Sequence, residues 1–534
     1  MLNKNESNIL ELMCEFISFL FTLNISFSML SFFLIKKVNF YSLIFALILS
    51  LLTVINYKKK YIFDNSSKLF FIMSLYYCLV LSLNLYAYPY FPIMFSIDFI
   101  THLTNSLNLI AGNCPTLPAN PGVSLLLAGW LSFGFDNILL FSRIYLCFVL
   151  YSALPFIYFI GSKIRKDKGG LIASMIYSTL NPFFIYTLNV TGLYANSLGL
   201  TVALFSIFWF IKSIENLNIK NLLMLTMCGI ITLLAHSSNI LIYSTIFIST
   251  IYLIIIEKQN VPIRSSIFYI LGLVIILIFS VETFLRLPNT LTSPFFSIEI
   301  SSDTLIIYIL RNFPFLKTLY IFSGENLVPV LFLLLTLLSS IICLFKRKLN
   351  YGVIPFIWLL QLLILSGFST NIWRLCLISF TPLSLLSPIF FDNLFLPTYL
   401  KIKGSLPSIS FKKMFKYQII IFFILILFLS SLGNPVTSIT NSIWSRPQQV
   451  GFYECLMWFK DNSERDSIVI SIGGGTPLQF LPLVAKRTFL DRFDGQPPEF
   501  AYNVLKNYSN GYVVVWNRLH PYNGSFYYVD LYKN

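Results

Sequence analysis

Charge is scarce in this chain. Only 11% of its 534 residues are Asp, Glu, Lys or Arg, and the acidic ones number 22 against 37 basic. A soluble globule of this length carries about twice that share of charge, so soluble classes are excluded at the outset. Histidine is scarcer still, with three in all. The eight cysteines are scattered, most of them inside apolar runs (Cys14, Cys78, Cys147, Cys228, Cys343, Cys376). No CxxC or Cys/His cluster occurs, which removes a zinc site. Gly473-Gly474-Gly475-Thr476 lacks the spacing and the lysine of a P-loop, and also the GxGxxG order, so a tight turn between strand and helix explains it better. There is no solenoid repeat, no low-complexity tract, and no basic segment followed by a small-residue cleavage site at the start. The net charge of +15 does not indicate nucleic acid as a partner. Its cations sit in short loops between apolar runs, which is the positive-inside pattern of membrane proteins.

What is present is apolar: 56% of residues are hydrophobic and the mean hydropathy is +0.76. The pattern predicts a polytopic α-helical membrane protein of about thirteen spans, each about 20 residues long. They fall near 14–35, 39–57, 69–88, 139–161, 169–187, 196–214, 220–235, 238–256, 265–285, 327–345, 350–367, 373–391 and 417–432. Gly122–Phe135 is apolar but short, and follows three prolines that break helices, so it reads as an interfacial or re-entrant helix. The basic loops at Lys58–Lys60, Lys163–Lys168, Lys212/Lys220, Lys258/Arg264, Lys346–Lys348 and Lys401–Lys416 then share one side, expected to be the cytoplasm. Lys36-Lys37 is the exception and falls outside. The N-terminus is expected inside. Three regions face outward: loop 89–138, loop 286–326 and the tail 433–534. The tail has soluble patterning, with an amphipathic helix at Gln448–Asn462, strands at Ser467–Ile472, Gly511–Trp516 and Ser525–Leu531, and a helix within Pro477–Ala485. It predicts a small C-terminal extracytoplasmic α/β domain, after a transmembrane domain over 1–432.

Polar residues in such a chain are candidates by default, because burying them in lipid is costly. Asp98 and His102 lie four residues apart, on one face if helical. A carboxylate and an imidazole so placed can bind a metal, share a proton or prime a nucleophile. The plainer reading makes Asp98 an N-cap and His102 a solvated side chain. Arg374 stands at the outer start of a span, placed to hold a lipid phosphate or simply to snorkel beside Trp373. His236, in Leu234–Asn239, marks a tight outer turn suited to phosphate or sugar hydroxyls, or to satisfying freed backbone groups. Tyr194 and Asn196 mark another tight turn, Arg143 sits near the outer end of its span, and Arg286 belongs to the second outer loop. Lys486-Arg487 and Asp491–Asp494 read as a solvated charged surface, or as a rim that grips an acceptor.

This layout resembles the GT-C class of membrane glycosyltransferases, which includes oligosaccharyltransferase catalytic subunits and protein O-mannosyltransferases. The resemblance is carried by Asp98–His102 in an outer loop, the Pro-rich linker and short helix Pro115–Phe135, the outer-turn His236, the late Arg374 and the soluble tail. It implies that Asp98 is the acidic residue of the first loop, acting as base or metal ligand with His102 assisting. It further implies that Arg374 contacts the phosphate of a polyprenyl-linked sugar donor, with His236, Tyr194, Asn196 and Arg286 as further substrate contacts. The cofactor stays open, with Mg or Mn on Asp98 and His102 as one expectation. The chain departs from the family where Phe99 follows Asp98, since the mannosyltransferases carry paired acids. The tail also lacks a WWDYG-type motif, which argues against a true oligosaccharyltransferase.

The expected activity is inverting sugar transfer, from a polyprenyl-phosphate-linked donor to a lipid, glycan or protein acceptor on the outer face. Two other readings stay open. A transporter or flippase would place ionisable residues near the membrane midplane, with Glu282 as the clearest intruder. A non-catalytic scaffold would leave Asp98, His236 and Arg374 far apart.

Overall fold

The computed structural model describes residues 6–55, 60–62, 65–87, 89–90, 97–118, 121–134, 137–180, 194–236, 239–257, 262–279, 327–366, 372–395, 450–451, 453–472, 481–493, 511–519 and 526–533. The membrane part comprises α1 Ile9–Ile35, α2 Phe40–Ile55, α3 Asn65–Ala87, α4 Ile97–Ala111, α5 Pro121–Leu131, α6 Ile138–Ser152, α7 Leu154–Leu180, α8 Tyr194–Glu215, α9 Ile219–Ala235, α10 Ile240–Ile255, α11 Ile263–Phe279, α12 Leu327–Phe345, α13 Val353–Ser366 and α14 Ile372–Phe390. Over their described residues, the first twelve expected spans coincide with helices. The last, 417–432, lies outside the described residues. Four helices are long and apolar enough to cross a membrane among the described residues: Ile9–Ile35, Ile138–Lys166, Tyr194–Glu215 and Leu375–Asn393. Shorter apolar helices include Phe40–Thr53, Pro121–Leu131, Ile219–Ala235, Ile240–Ile255, Val330–Phe345 and Asn350–Ser366.

α8 is the central pillar, with side chains buried from Tyr194 to Ser213. It is apolar on all sides, as a helix surrounded by other helices must be. Small polar residues let its neighbours approach. Thr201 Oγ1 donates to Val149 O of α6 at 3.2 Å, and the Ser206 hydroxyl meets Thr232 Oγ1 of α9 at 2.9 Å. α7 turns back on itself at Arg165 and Lys166, where the backbone leaves helical geometry (φ −143° and +55°). The limbs of that hairpin pack at glycine: a Cβ on Gly161 would sit 2.8 Å from Gly169 O.

The basic loops converge on one face. Short strands β1 Glu6–Asn8 and β2 Lys60–Ile62 pair in parallel, bringing the start of α1 beside the α2–α3 link. The buried Glu15 carboxylate accepts from Lys220 Nζ at 2.7 Å and faces Lys212 Nζ at 3.5 Å. Lys212 also pairs with Glu11. Lys163 binds Glu215 at 2.6 Å, Arg165 faces Asp392 at 3.6 Å, and Asn350 N donates to Glu257 Oε1 at 2.7 Å. Lys36-Lys37 sits at the opposite face. There α1 closes with Lys36 at φ +58°, and Val38 N donates to Leu109 O of α4 at 3.0 Å.

In the tail, residues 453–462 are helical. Strands β3 Ile468–Ile472, β4 Thr488–Phe493, β5 Gly511–Leu519 and β6 Phe526–Lys533 form a sheet in the order β4-β3-β5-β6. β3 is parallel to both neighbours, and β5–β6 is an antiparallel pair. Leu456, Phe459, Val469, Ile470 and Tyr512 are buried between helix and sheet. Asp491–Phe493 belong to β4. Part of the expected charged surface is internal, because Arg487 is buried. Arg487 Nε donates to Ser463 Oγ at 2.8 Å, and its terminal nitrogens donate to the carbonyls of Ala485 and Lys460 at 2.8 and 3.1 Å. A guanidinium supplies five fixed donors, and these close the end of the helix above it. Gly473–Thr476, Glu282 and loop 286–326 lie outside the described residues. Cys114 and Cys455 are free thiols, and burial pushes the Cys455 thiol up to about 11.

Candidate functional site

The site assembles around the first turn of α8, on the face away from the basic loops. Tyr194 opens that helix and is buried. Its hydroxyl donates to Ser142 O of α6 at 2.8 Å. Its ring stacks on Phe99 of α4, with centroids 5.2 Å apart and planes at 27°. On the other side Tyr145 lies nearly parallel to it at 6.4 Å. Arg143, one turn into α6, is fully buried beside this stack and within electrostatic range of Tyr194.

Phe99 is the neighbour of Asp98. Helix α4 begins at Ile97, so Asp98 stands inside the first turn rather than before it as an N-cap. A carboxylate there complements the helix dipole. The side chain of Asp98 lies outside the described residues.

His102 is one turn further along, and it is not solvated. It is 5% exposed, with Nδ1 3.4 Å from Ser124 Oγ of α5. Ser106 Oγ strengthens the same seam, donating to His102 O at 2.7 Å and lying 3.1 Å from Ser124 O. The solvated reading of His102 is therefore corrected: its side chain is drawn into the α4–α5 packing. Among the described residues no group of three or more His, Cys, Asp or Glu gathers to hold an ion.

His236 and Asn196 do come together. Both line a narrow cleft with Leu200, Asn239, Ile242, Trp358 and Ile378. The cleft is lined by three polar side chains and by apolar ones, with room for about one water. Its lining comes from α8, the α9–α10 turn, α10, α13 and α14. His236 ends α9 in an extended conformation (φ −163°, ψ 135°). Arg374 belongs to α14 one turn before Ile378. Its side chain, like all of Arg286, lies outside the described residues. Asn239 and Trp358 were not singled out by sequence. Asn239 stands in the same polar turn as His236, which was the available signal. Trp358 reads as one more apolar residue in a span.

No protein-family model matches the chain, and no curated protein matches it. Solved structures do resemble it. The apo crystal structure of the Archaeoglobus fulgidus oligosaccharyltransferase aligns over 84% of this chain and 69% of its own, at 12% identity and a TM-score of 0.53. ArnT from Cupriavidus metallidurans bound to undecaprenyl phosphate aligns over 83% of this chain and 92% of its own, at 8% identity and a TM-score of 0.54. Apo ArnT gives 10% identity and a TM-score of 0.53. The chain shares the fold of the oligosaccharyltransferase and ArnT structures. With that fold and its apolar helices, the chain is an integral membrane protein.

Proposed function

We propose that the chain is a membrane glycosyltransferase, moving a sugar from a polyprenyl-phosphate-linked donor to an acceptor on the outer membrane face. The reading rests on one convergence. Through the Phe99–Tyr194 stack, the helix that begins beside Asp98 meets the first turn of α8. Two residues on, Asn196 shares a cleft with His236 and with Ile378, one turn from Arg374. The donor class is supported by the fold shared with ArnT, whose structure holds undecaprenyl phosphate.

In this reading Asp98 takes the proton of the acceptor hydroxyl. The acceptor oxygen attacks the anomeric carbon as the bond from that carbon to the phosphate oxygen breaks, inverting the configuration. The electron pair leaves with polyprenyl phosphate. Arg374 meets the charge that grows on the departing phosphate, which is where a fixed cation lowers the barrier most. His236, Asn196 and Tyr194 border the donor, and the bundle takes its hydrocarbon chain. Arg286, in loop 286–326, completes the proposed donor contacts. The tail 433–534 lies outside the cell, and the basic face lies in the cytosol.

The test is transfer from a radiolabelled polyprenyl-phosphate sugar in purified membranes. Asp98→Asn should lower the rate about 10²–10⁴-fold, the usual worth of a general base. Full activity in that variant removes Asp98 from the mechanism.

A further inference from the structure

We infer that Asn239 and Gly199 form a clip that fixes His236 in the cleft, making Asn239 a positioning residue of the site. The functional reading above enters only in what His236 does there, not in how it is held. The clip involves one side chain and five backbone groups. The Asn239 carboxamide nitrogen donates to Gly199 O of α8 at 3.0 Å and to Thr232 O of α9 at 3.0 Å. Its backbone N–H donates to His236 O at 3.1 Å, while His236 N–H donates back to Thr232 O at 3.4 Å. His236 is thus tied at both its amide and its carbonyl, and the amide of Asn239 crosses to the neighbouring helix.

Gly199 supplies the clearance. A Cβ there would lie 2.9 Å from Asn239 Nδ2 and 2.9 Å from His236 Cβ, closer than such carbons come. Only hydrogen fits between α8 and the turn. Gly199 is three residues from Asn196, so both lie on one face of α8, and both act on the same turn. The end of α9 has no glycine of its own to close it. A carboxamide reaching back to the Thr232 carbonyl does that work, and it sets the direction in which the imidazole leaves the backbone. An imidazole already held does not have to be ordered when a ligand arrives.

The chain has three histidines, His102, His236 and His520, so ring-labelled histidine in nanodiscs gives at most three sets of imidazole signals. His236→Gln assigns one of them. Asn239→Ala and Gly199→Ala should each shift the His236 signal and leave that of His102 in place. Thr245→Ala is the control. It breaks a 2.8 Å bond to Gln361 between α10 and α13, loosening the bundle without touching the clip, and should leave the His236 signal alone. A His236 signal unmoved in both folded clip variants overturns the inference. If neither variant folds, the wild-type ring decides: the clip requires a single ordered imidazole, and a freely averaging one overturns it. Titrating undecaprenyl phosphate into the same samples separates the two readings. It should move the His236 signal in the wild type and bind about two- to tenfold more weakly to the clip variants, the cost of ordering one side chain. A His236 signal indifferent to that lipid counts against the functional reading and leaves the clip standing.

Discussion

Tyr194 does three things with one side chain. Its ring fills space under Phe99, it pairs with Tyr145, and its hydroxyl satisfies the Ser142 carbonyl. These contributions separate by mutation. Tyr194→Phe keeps the stack and loses one hydrogen bond, at about 1 kcal/mol. Tyr194→Ala opens a cavity at about 3–5 kcal/mol and frees the start of α4 from α8. Thermal unfolding in detergent reads the first cost. Transfer activity should survive Tyr194→Phe and fall in Tyr194→Ala, and equal activity in the two would end the claim that the stack sets Asp98. At this scale the sequence was partly legible. The polar turns at Tyr194/Asn196 and at His236 stood out because polar groups are rare in so apolar a chain. The solvated reading of His102 failed for a reason visible afterwards. Phe99, His102, Leu103 and Ser106 are all buried, the spacing of a helical inner face, and His102 lies on that stripe. Gly199 carried no signal, because its close contact is with a turn about 40 residues further along.

Among the elements, α5 shows how a short helix can hold a large bundle together. Its eleven residues are nearly all buried, and it touches α1, α4, α6 and α9. It crosses the end of α9 at Gly122, where a Cβ would stand 2.9 Å from the Leu234 carbonyl carbon and oxygen. Both atoms are backbone and cannot step aside. Gly122→Ala should therefore cost about 1–3 kcal/mol, the usual penalty for overpacking. A midpoint of thermal unfolding equal to wild type would show that α9 can shift. The helices were legible from length and hydropathy. In the tail, β3 was legible as a short apolar run, because it is the strand flanked in parallel on both sides. β4 was missed because Asp491 and Arg492 break any alternation of apolar and polar residues. A sheet edge tolerates such residues where one side of the strand is unpaired.

At the scale of the whole molecule, the ion pairs and the β1–β2 ribbon collect the basic loops on one face, and the cleft opens on the other. Cysteines introduced at Ile219, 86% exposed at the basic face, and at Lys36 across the bundle should react with an impermeant maleimide from opposite sides of sealed vesicles. Labelling of both from one side would break the topology and the outer-face proposal together. The sequence predicted this sidedness through its cations alone. It did not show what holds the face together, because the partners are distant in the chain. Glu15 and Lys220, joined at 2.7 Å, are separated by 205 residues. At ordinary rates of translation that distance is roughly 10–40 seconds of synthesis. For that interval the first helix waits in the membrane with a carboxylate whose cations have not yet been made. Its early insertion must rely on water or lipid headgroups, so a nascent chain halted before α9 should be the species that quality-control proteases recognise.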